Sequence, residues 1–270
     1  MQLDSESVGA FQDKIMKWWR ENARDLPWRK EPNPYHVLVS EIMLQQTQVN
    51  RVIPKYHEFL QEFPTIEDLA VAETKHLLVV WSGLGYNRRA LWLREAASEI
   101  VKRGEFPRDE KELRKLKGIG DYTSRSIMIF AFNEDVAAVD TNIRRVFIAS
   151  DFAEENMSPK DVQSIAERLL LRGRSRDWHN ALMDYGAQVL TSNVTGIAPL
   201  TRQPCFRGSS REIRGAIIKV LTANDRLTLN QLVASLEVEC GMHDVETIVD
   251  QLISEGLVKS IRSKEYQIAD

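Results

Sequence analysis

Apolar residues recur at helical spacing along most of the chain, and this spacing constrains the fold more than any other feature. Near the start, Val8, Phe11, Ile15 and either Trp18 or Trp19 fall on one face of a helix. Apolar stripes of the same kind follow at intervals, and no good strand is expected before residue 255. The spacing therefore predicts an all-α fold for the greater part of the chain.

Residues 209–270 follow a different pattern. Helices are predicted to begin at Ser210, after Thr228 and at Asp244, and two short strands are predicted around Ser263-Lys264. Three helices followed by a hairpin are typical of a winged-helix domain. The segment has 7 Lys and Arg against 10 Asp and Glu. This negative charge favours protein as its partner, whereas a local basic face would favour DNA, so both partners stay open.

The composition is that of a globular protein, with 43% hydrophobic and 28% charged residues. No run of eighteen apolar residues occurs, so no membrane span and no membrane partner are expected. The first residues lack the basic and apolar regions of a secretion signal. Cys205 and Cys240 are too few for a disulfide framework or a four-thiolate metal site, and the five His have no ligand spacing. We expect a cytoplasmic protein that holds no metal.

Glu41 lies inside the strongly apolar segment VLVSEIMLQQT. A single Glu on a helix is usually exposed. Here Leu38, Ile42, Met43 and Leu44 leave little polar face around it. Burial raises the pKa of a carboxyl group, so that it holds a proton at neutral pH, as a general acid must. Glu41 is therefore a candidate general acid.

Asp140 lies in VAAVDTNIRRVF, where a simple helix N-cap is the common explanation. An apolar run precedes it, Asn142 follows, and Arg144 and Arg145 come one turn later. An aspartate at a helix N-terminus is expected to stay ionised. A protonated Glu41 and an ionised Asp140 would together form an acid paired with an anion.

The segment LKGIGDYTSRSI, residues 116–127, is predicted to be a hairpin between two helices. Leu116 is expected to pack inward, Gly118 and Gly120 to allow a tight turn, and Thr123 to start the second helix. Backbone N–H groups at such a helix start bind a DNA phosphate without reading sequence. A G-x-G turn alone is weak evidence, and Asp140 twenty residues later adds weight to it.

These motifs, together with LPWR, SEIMLQQTQV, WSGLGYNRRA and VDTNIRRV, resemble in order and spacing the helix-hairpin-helix base-excision DNA glycosylases. The resemblance covers about residues 11–190 and is strongest to the MutY-type adenine DNA glycosylases. It implies a two-domain helix-hairpin-helix fold, here with a C-terminal winged helix. The implied domains are a six-helix domain over 27–133, a second helical domain from 1–26 with 134–208, and the winged helix over 209–270.

The resemblance also implies site residues. Glu41 matches the acid that protonates the adenine ring, and Asp140 matches the carboxylate that stabilises the sugar cation. Tyr122 matches the residue beside them, where lyase-active relatives carry a Lys, and Asn142 matches a polar partner. Gln46 matches a glutamine that enters the base stack. The full set of expected DNA contacts is Arg29, Gln45, Gln46, Thr47, Asn87, Arg88, Gly118, Gly120, Thr123 and Arg144.

The implied activity is that of a monofunctional DNA N-glycosylase that removes a flipped adenine from A·G or A·8-oxoguanine mispairs. The implied partner is double-stranded DNA carrying a mispair, bound by a monomer associated with the nucleoid. One alternative is a mismatch glycosylase that removes thymine or uracil opposite guanine, but the LQQT segment favours adenine. Another is a non-catalytic DNA-binding protein on the same fold. The presence of Glu41, Tyr122 and Asp140 together argues against that alternative.

The chain departs from the family at the iron–sulfur cluster, which the family holds by C-x6-C-x2-C-x5-C. At that spacing this chain has Leu190, Ile197, Leu200 and Phe206, and Cys205 is one place off. We therefore expect no cluster, and a small hydrophobic plug of these four side chains in its place.

Two further departures concern the base opposite adenine. The family's GLGYY is GLGYN here, so Asn87 stands where an aromatic wedge is expected. The family's C-terminal domain that inspects 8-oxoguanine is expected to be missing, with the winged helix in its place. Both predict a weak preference for 8-oxoguanine over guanine.

Overall fold

The computed structural model describes residues 4–200, 205–238, 240–261 and 264–270, with 242–243 described by their backbone only. The chain divides into two compact units. Unit 1 comprises Met1–Glu41, Pro107–Lys115 and Ile119–Arg202, and unit 2 comprises Ile42–Phe106, Leu116–Gly118 and Gln203–Asp270. These bounds differ from those of the predicted domains, and the three-domain division stays a prediction.

Helices make up most of the structure, as the apolar spacing predicts. In chain order the elements are α1 (Ser5–Asn22), a 3-10 turn (Pro27–Arg29), α2 (Pro34–Leu44), α3 (Val49–Glu62), α4 (Ile66–Ala70), α5 (Thr74–Trp81), α6 (Arg88–Arg103), α7 (Glu110–Leu113), α8 (Asp121–Phe132), α9 (Thr141–Ala149), α10 (Pro159–Arg168), α11 (Ser175–Gln188), α12 (Ser192–Thr195), α13 (Ser210–Ala223), β1 (Leu227–Thr228), α14 (Leu229–Ser235), α15 (Met242–Ser254), β2 (Val258–Ile261) and β3 (Glu265–Ile268). The range 27–133 holds seven α-helices rather than six, and two of them, α4 and α7, have only five and four residues.

In unit 1, α1, α9, α10 and α11 enclose a core around Phe147 and Trp178. The predicted apolar face of α1 is confirmed, since Phe11 and Ile15 are buried in this core and Val8 packs against it. Burial of each such side chain stabilises the fold by about 1.5–3 kcal/mol. This core holds the start of α9 in place, where Asp140 lies.

In unit 2, α3 to α6 bury Phe59, Leu69 and Trp81. Helices α13, α14 and α15 lie beside a three-stranded antiparallel sheet of order β1-β3-β2. The expectation of no strand before residue 255 is wrong, because β1 pairs with β3 through Leu227 and Tyr266. Two residues are too short for the alternation that identifies a strand in a sequence.

Three helices begin after the N-cap residues that the sequence predicts, and a fourth begins earlier than predicted. The side chains of Asp140, Ser158 and Thr228 each accept a hydrogen bond from the first turn of the helix that follows. Helix α8 begins at Asp121, two residues before Thr123, because the extended Gly120 is its N-cap. None of the helices in the described part of the chain is long and apolar enough to cross a lipid bilayer.

Candidate active site

Glu41 lies on α2 within unit 1, and its side chain is buried. The hydroxyl of Ser126 on α8 donates a hydrogen bond of 2.6 Å to its Oε2 atom. Burial raises the pKa of Glu41, the Ser126 hydrogen bond lowers it and the charge of Asp140 raises it, and the net result is a pKa of about 7. At neutral pH a large fraction of Glu41 is therefore protonated, as its apolar neighbours in the sequence predict.

Asp140 is the N-cap of α9. Its Oδ1 atom accepts a 2.7 Å hydrogen bond from the Ile143 amide, and its Oδ2 atom accepts a 2.9 Å bond from Nδ2 of Asn142. Burial raises the pKa of Asp140, whereas these hydrogen bonds and the charge of Arg145 lower it. The expected effect of the helix N-terminus is thus opposed by desolvation, and the ionised form depends on the donors around it.

Arg145 fixes the orientation of Asn142, the side chain that donates to Asp140. Its Nη2 atom donates to Oδ1 of Asn142 over 2.6 Å and to the Gly186 carbonyl over 2.8 Å. The Asn142 amide is thereby oriented with its nitrogen toward Asp140. Gly186 on α11 is required for this packing, because a Cβ atom there would lie 2.8 Å from the Asn142 carbonyl oxygen. The sequence contained no indication of either role.

Tyr122 lies on α8 near both carboxyl groups. Burial raises its pKa well above the ordinary value, and the charges of Glu41 and Asp140 raise it further. The phenol is therefore neutral at physiological pH. Through these charge interactions and the Asn142–Asp140 hydrogen bond, unit 1 brings the four predicted catalytic residues Glu41, Tyr122, Asp140 and Asn142 into one site.

Two predicted DNA contacts are bonded to protein groups instead. Both terminal nitrogens of Arg29 donate to the fully buried Asp184, at 2.8 and 2.9 Å. Burial raises the pKa of Asp184, but Arg29 and Arg24 together bring it below its usual value. Arg144 is buried and donates to the Glu155 carbonyl over 2.7 Å. A DNA phosphate would have to compete with these partners, and both DNA contacts stay predictions.

A loop system in unit 2 carries most of the other expected DNA contacts. The buried guanidinium of Arg89 organises it, with burial lowering the pKa of Arg89 to about 10. Its two terminal nitrogens donate to Ile42, Met43, Gln45, Leu84 and Gly85 through their carbonyl oxygens and to the Thr47 hydroxyl. This role was not predictable from the sequence, because an Arg-Arg pair suits a phosphate contact equally well.

Arg89 holds the backbone that presents Gln46. Gln46 is exposed and has a φ of 57°, a left-handed conformation that costs a residue with a side chain about 1–2 kcal/mol. Strain of this kind concentrates at functional positions. Asn87 occupies the N-cap position of α6 without a side-chain capping bond, and the Arg88 guanidinium lies 5.2 Å from the centre of the Trp92 ring.

The predicted hairpin turn depends on Gly118. Its φ is 77°, and a Cβ atom there would lie 3.1 Å from Cβ of Trp92. Its carbonyl accepts a 3.3 Å hydrogen bond from Gln45. A Cβ atom at Gly120 would meet open space, and Thr123 is buried. Of the two glycines, only Gly118 is required by its backbone angle.

The predicted hydrophobic plug is wrong. Leu200 is 66% exposed and Phe206 is 57% exposed, whereas Ile197 is buried and Leu190 packs against the unit 1 core. Two of the four side chains therefore face solvent, and they do not form a buried cluster with the other two. The residues at these places do not fit an iron–sulfur cluster either, because hydrocarbon side chains offer no ligand atom. Among the residues with described side chains, no group of His, Cys, Asp or Glu has the arrangement of a metal site.

The family model "HhH-GPD superfamily base excision DNA repair protein" matches residues 39–171, which include Glu41, Tyr122, Asp140 and Asn142. Adenine DNA glycosylase from Mycolicibacterium smegmatis is 32% identical in an alignment of 280 positions that covers 95% of this chain and 95% of that protein. The chain belongs to the adenine DNA glycosylase family of HhH-GPD base excision repair proteins. Adenine DNA glycosylase from Mycobacterium tuberculosis is 34% identical over 77% of each chain.

Other relatives are longer or more distant. The human adenine DNA glycosylase is 36% identical in an alignment of 204 positions that covers 70% of this chain and 37% of the human protein. The structure of a thermostable thymine-DNA glycosylase superposes with a TM-score of 0.63 at 29% identity, covering 69% of this chain and 88% of that one. An endonuclease III structure also superposes with a TM-score of 0.63 but is only 20% identical, so it supports the fold alone.

Proposed function

We propose that this DNA N-glycosylase excises adenine from A·G and A·8-oxoguanine mispairs in base excision repair. The observation that carries the proposal is the pair of carboxyl groups in unit 1, Glu41 with a pKa of about 7 and Asp140 held by donors at a helix N-terminus. The names of the relatives support adenine as the base.

Glu41 acts on the leaving base. Adenine leaves poorly as an anion, so transfer of the Glu41 proton to a ring nitrogen lets it depart as a neutral molecule. The C1′–N9 bond breaks, its electron pair goes to the base, and a positive charge develops on the sugar. A carboxyl group with a pKa near the working pH combines a high protonated fraction with a strong tendency to donate.

Asp140 acts on the sugar. Its ionised carboxylate stabilises the cation in the transition state, and water then attacks C1′ to give the abasic site. This division of labour between an acid and an anion is shared with other glycoside hydrolases. Asn142 and Arg145 act as positioning residues, because they fix the donor that faces Oδ2 of Asp140.

We also propose that strand cleavage does not accompany base removal at this site. A Schiff base to the sugar needs an amine. The residue at this place is Tyr122, whose phenol is neutral and has no such chemistry. Monofunctional excision therefore leaves an intact strand with an abasic sugar.

For DNA binding, we propose contacts from Gln46, which follows α2, and from Asn87 and Arg88 at the start of α6. A flipped base costs a few kcal/mol of lost stacking and pairing. Insertion of Gln46, whose left-handed backbone lies between the Gln45 and Thr47 groups that Arg89 binds, would offset part of this cost. Arg88 and the backbone N–H groups near Gly118 and Gly120 would contact phosphates.

The C-terminal segment is proposed to be a winged helix. The order of its elements, α13-β1-α14-α15-β2-β3 with the sheet order β1-β3-β2, supports this assignment. Within unit 2, Arg211 on α13 donates a 3.0 Å hydrogen bond to the Tyr86 hydroxyl. The segment thus contacts the residue that precedes Asn87 and Arg88.

We further propose that the protein functions without an iron–sulfur cluster, because Leu190, Ile197, Leu200 and Phe206 lack ligand atoms. Purified protein is expected to show substoichiometric iron by elemental analysis and no broad visible absorption. One cluster's worth of iron per chain, retained after chelation, would contradict this proposal.

The proposed substrate is tested with four duplexes that carry A·G, A·8-oxoguanine, T·G or U·G. Single-turnover assays should show base loss from the two adenine duplexes, with strand breaks appearing only after alkaline treatment. Excision from T·G or U·G but not from the adenine duplexes would support the mismatch glycosylase instead. DNA binding without excision from any of the four would support the non-catalytic alternative.

A further inference from the structure

Ser126 is the one described side chain that hydrogen-bonds to Glu41, and it contacts only one of the two carboxyl oxygens. Its Oγ atom lies 2.6 Å from Oε2 of Glu41 and 3.1 Å from the Thr123 carbonyl oxygen. Ser126 is fully buried on α8, so water does not compete for its hydroxyl. Oε1 of Glu41 has no hydrogen-bond partner within the described part of the protein.

The hydroxyl of Ser126 has a single proton and therefore serves one acceptor at a time. When the hydroxyl points to Glu41, Oε2 accepts its hydrogen bond. Oε2 then cannot donate an acid proton of its own to Ser126. The acid proton of a neutral Glu41 then lies preferentially on Oε1, because the unprotonated oxygen of a carboxylic acid is the better acceptor. When the hydroxyl points to the Thr123 carbonyl instead, this constraint is lost.

We propose that Ser126 is a positioning residue that places the transferable proton of Glu41 on Oε1 by donating to Oε2. This inference rests on the proposed function of Glu41 as the general acid. During base protonation the O–H bond at Oε1 breaks and an N–H bond forms on the base, while the proton of Ser126 stays on Oγ. The hydrogen bond to Oε2 strengthens as the carboxylate forms, because bonds to charged acceptors are the stronger ones.

Several other charged or titratable groups influence Glu41. Tyr122 lies on the same helix as Ser126, and Asp140 lies at the start of α9. The charge of Asp140 raises the pKa of Glu41, and Arg145 acts on Asp140 in turn. Ser126 differs from all of these because it is uncharged and favours the ionised form of Glu41 by a direct hydrogen bond.

The test is Ser126→Ala with a matched control, Ser124→Ala. Ser124 is equally buried on the same helix, and its hydroxyl donates to the Asp121 carbonyl over 3.0 Å without touching Glu41. Excision needs the protonated acid, so its rate falls as pH rises through the pKa of Glu41. Loss of the Ser126 hydrogen bond raises the pKa of Glu41. The alkaline limb of the pH–rate profile therefore moves to higher pH by about one pH unit.

Ser126→Ala is also expected to lower the single-turnover rate on the acidic plateau by about tenfold, because Oε1 no longer holds the proton preferentially. Ser124→Ala should leave both the plateau and the limb at their wild-type values. A Ser126→Ala profile that coincides with the wild-type profile would overturn the inference.

A second measurement does not depend on activity. The carboxyl carbon of Glu41 is titrated by NMR in the DNA-free protein and assigned by its loss in Glu41→Gln. Its pKa should rise in Ser126→Ala and not in Ser124→Ala. If wild-type protein excises no base, the proposed function fails while this titration still decides whether Ser126 controls Glu41. An unchanged pKa in Ser126→Ala with normal wild-type excision overturns the inference alone.

Discussion

Exchange of Glu41 for glutamine should lower the single-turnover rate of adenine excision at pH 7 by about 10²–10⁴-fold, the usual contribution of a general acid. Glutamine keeps the shape of the side chain and can still accept the Ser126 hydrogen bond at its amide oxygen. It has no proton acidic enough to give to adenine. Duplex affinity, measured by fluorescence anisotropy, should change little because the substitution removes no phosphate contact.

The pH dependence separates this explanation from a simple loss of structure. Wild-type excision should fall as pH rises through about 7, the pKa to which burial raises Glu41. Glu41→Gln should lack that alkaline limb. Exposed Glu154 provides the control, since Glu154→Gln should reproduce the wild-type profile. A wild-type rate for Glu41→Gln at neutral pH would remove Glu41 from the mechanism.

The burial of Glu41 was predictable because its cause is local. Residues three or four positions apart share a helix face, and three of these four positions around Glu41, namely Val37, Leu38 and Leu44, are apolar. Its hydrogen-bond partner was not predictable. Ser126 is 85 residues away in sequence, and only the packing of α8 in unit 1 brings the hydroxyl to the carboxyl group. The same applies to Gly186, whose requirement appears only when α11 contacts Asn142.

The arginines show a second limit of sequence reasoning. A guanidinium group has five N–H donors that suit a phosphate, a carboxylate or several backbone carbonyls equally well. Arg29 binds Asp184, Arg144 binds a carbonyl, and Arg89 binds a whole loop, although all three lie in motifs shared with DNA-binding proteins. The sequence shows that an arginine is present at each of these motif positions. The group that each arginine binds depends on the acceptors that the fold places within its reach.

The segment at the family's cluster position shows a third limit. Four apolar residues at ligand spacing suggested a buried plug, because apolar side chains gain free energy by leaving water. Apolar side chains form such a plug only if the backbone brings them together. Leu190 packs against the unit 1 core and Ile197 is buried, while Leu200 and Phe206 stay largely exposed. The chemistry of the side chains excluded ligands, but it did not determine packing.

Exchange of Asp140 for asparagine tests the other half of the mechanism. The carboxylate is proposed to stabilise the sugar cation, and removal of such a preorganised charge typically costs about 10²–10³-fold in rate. Binding of the A·G duplex should persist. The Asn side chain can still accept the hydrogen bond from the Ile143 amide through its oxygen, so the N-cap of α9 is kept.

The stability of Asp140→Asn distinguishes lost catalysis from lost structure. Because the folded protein raises the pKa of Asp140, its ionised form is disfavoured by folding, and this contribution to stability declines as pH rises. A neutral amide avoids that penalty but places its NH₂ group opposite the Asn142 donor, and the two effects oppose each other. We therefore expect a melting temperature close to that of the wild type at pH 7.

Asp109→Asn is the matched control for Asp140→Asn. Asp109 is the N-cap of α7, where it accepts hydrogen bonds from the Lys111 and Glu112 amides. The exchange makes the same chemical change at another helix start, and it should leave excision intact. If Asp140→Asn retains a near wild-type single-turnover rate while binding normally, the sugar cation is stabilised by another group. If both variants lose activity together with a lower melting temperature, the effect arises from helix capping, and the charge of Asp140 is not what drives excision.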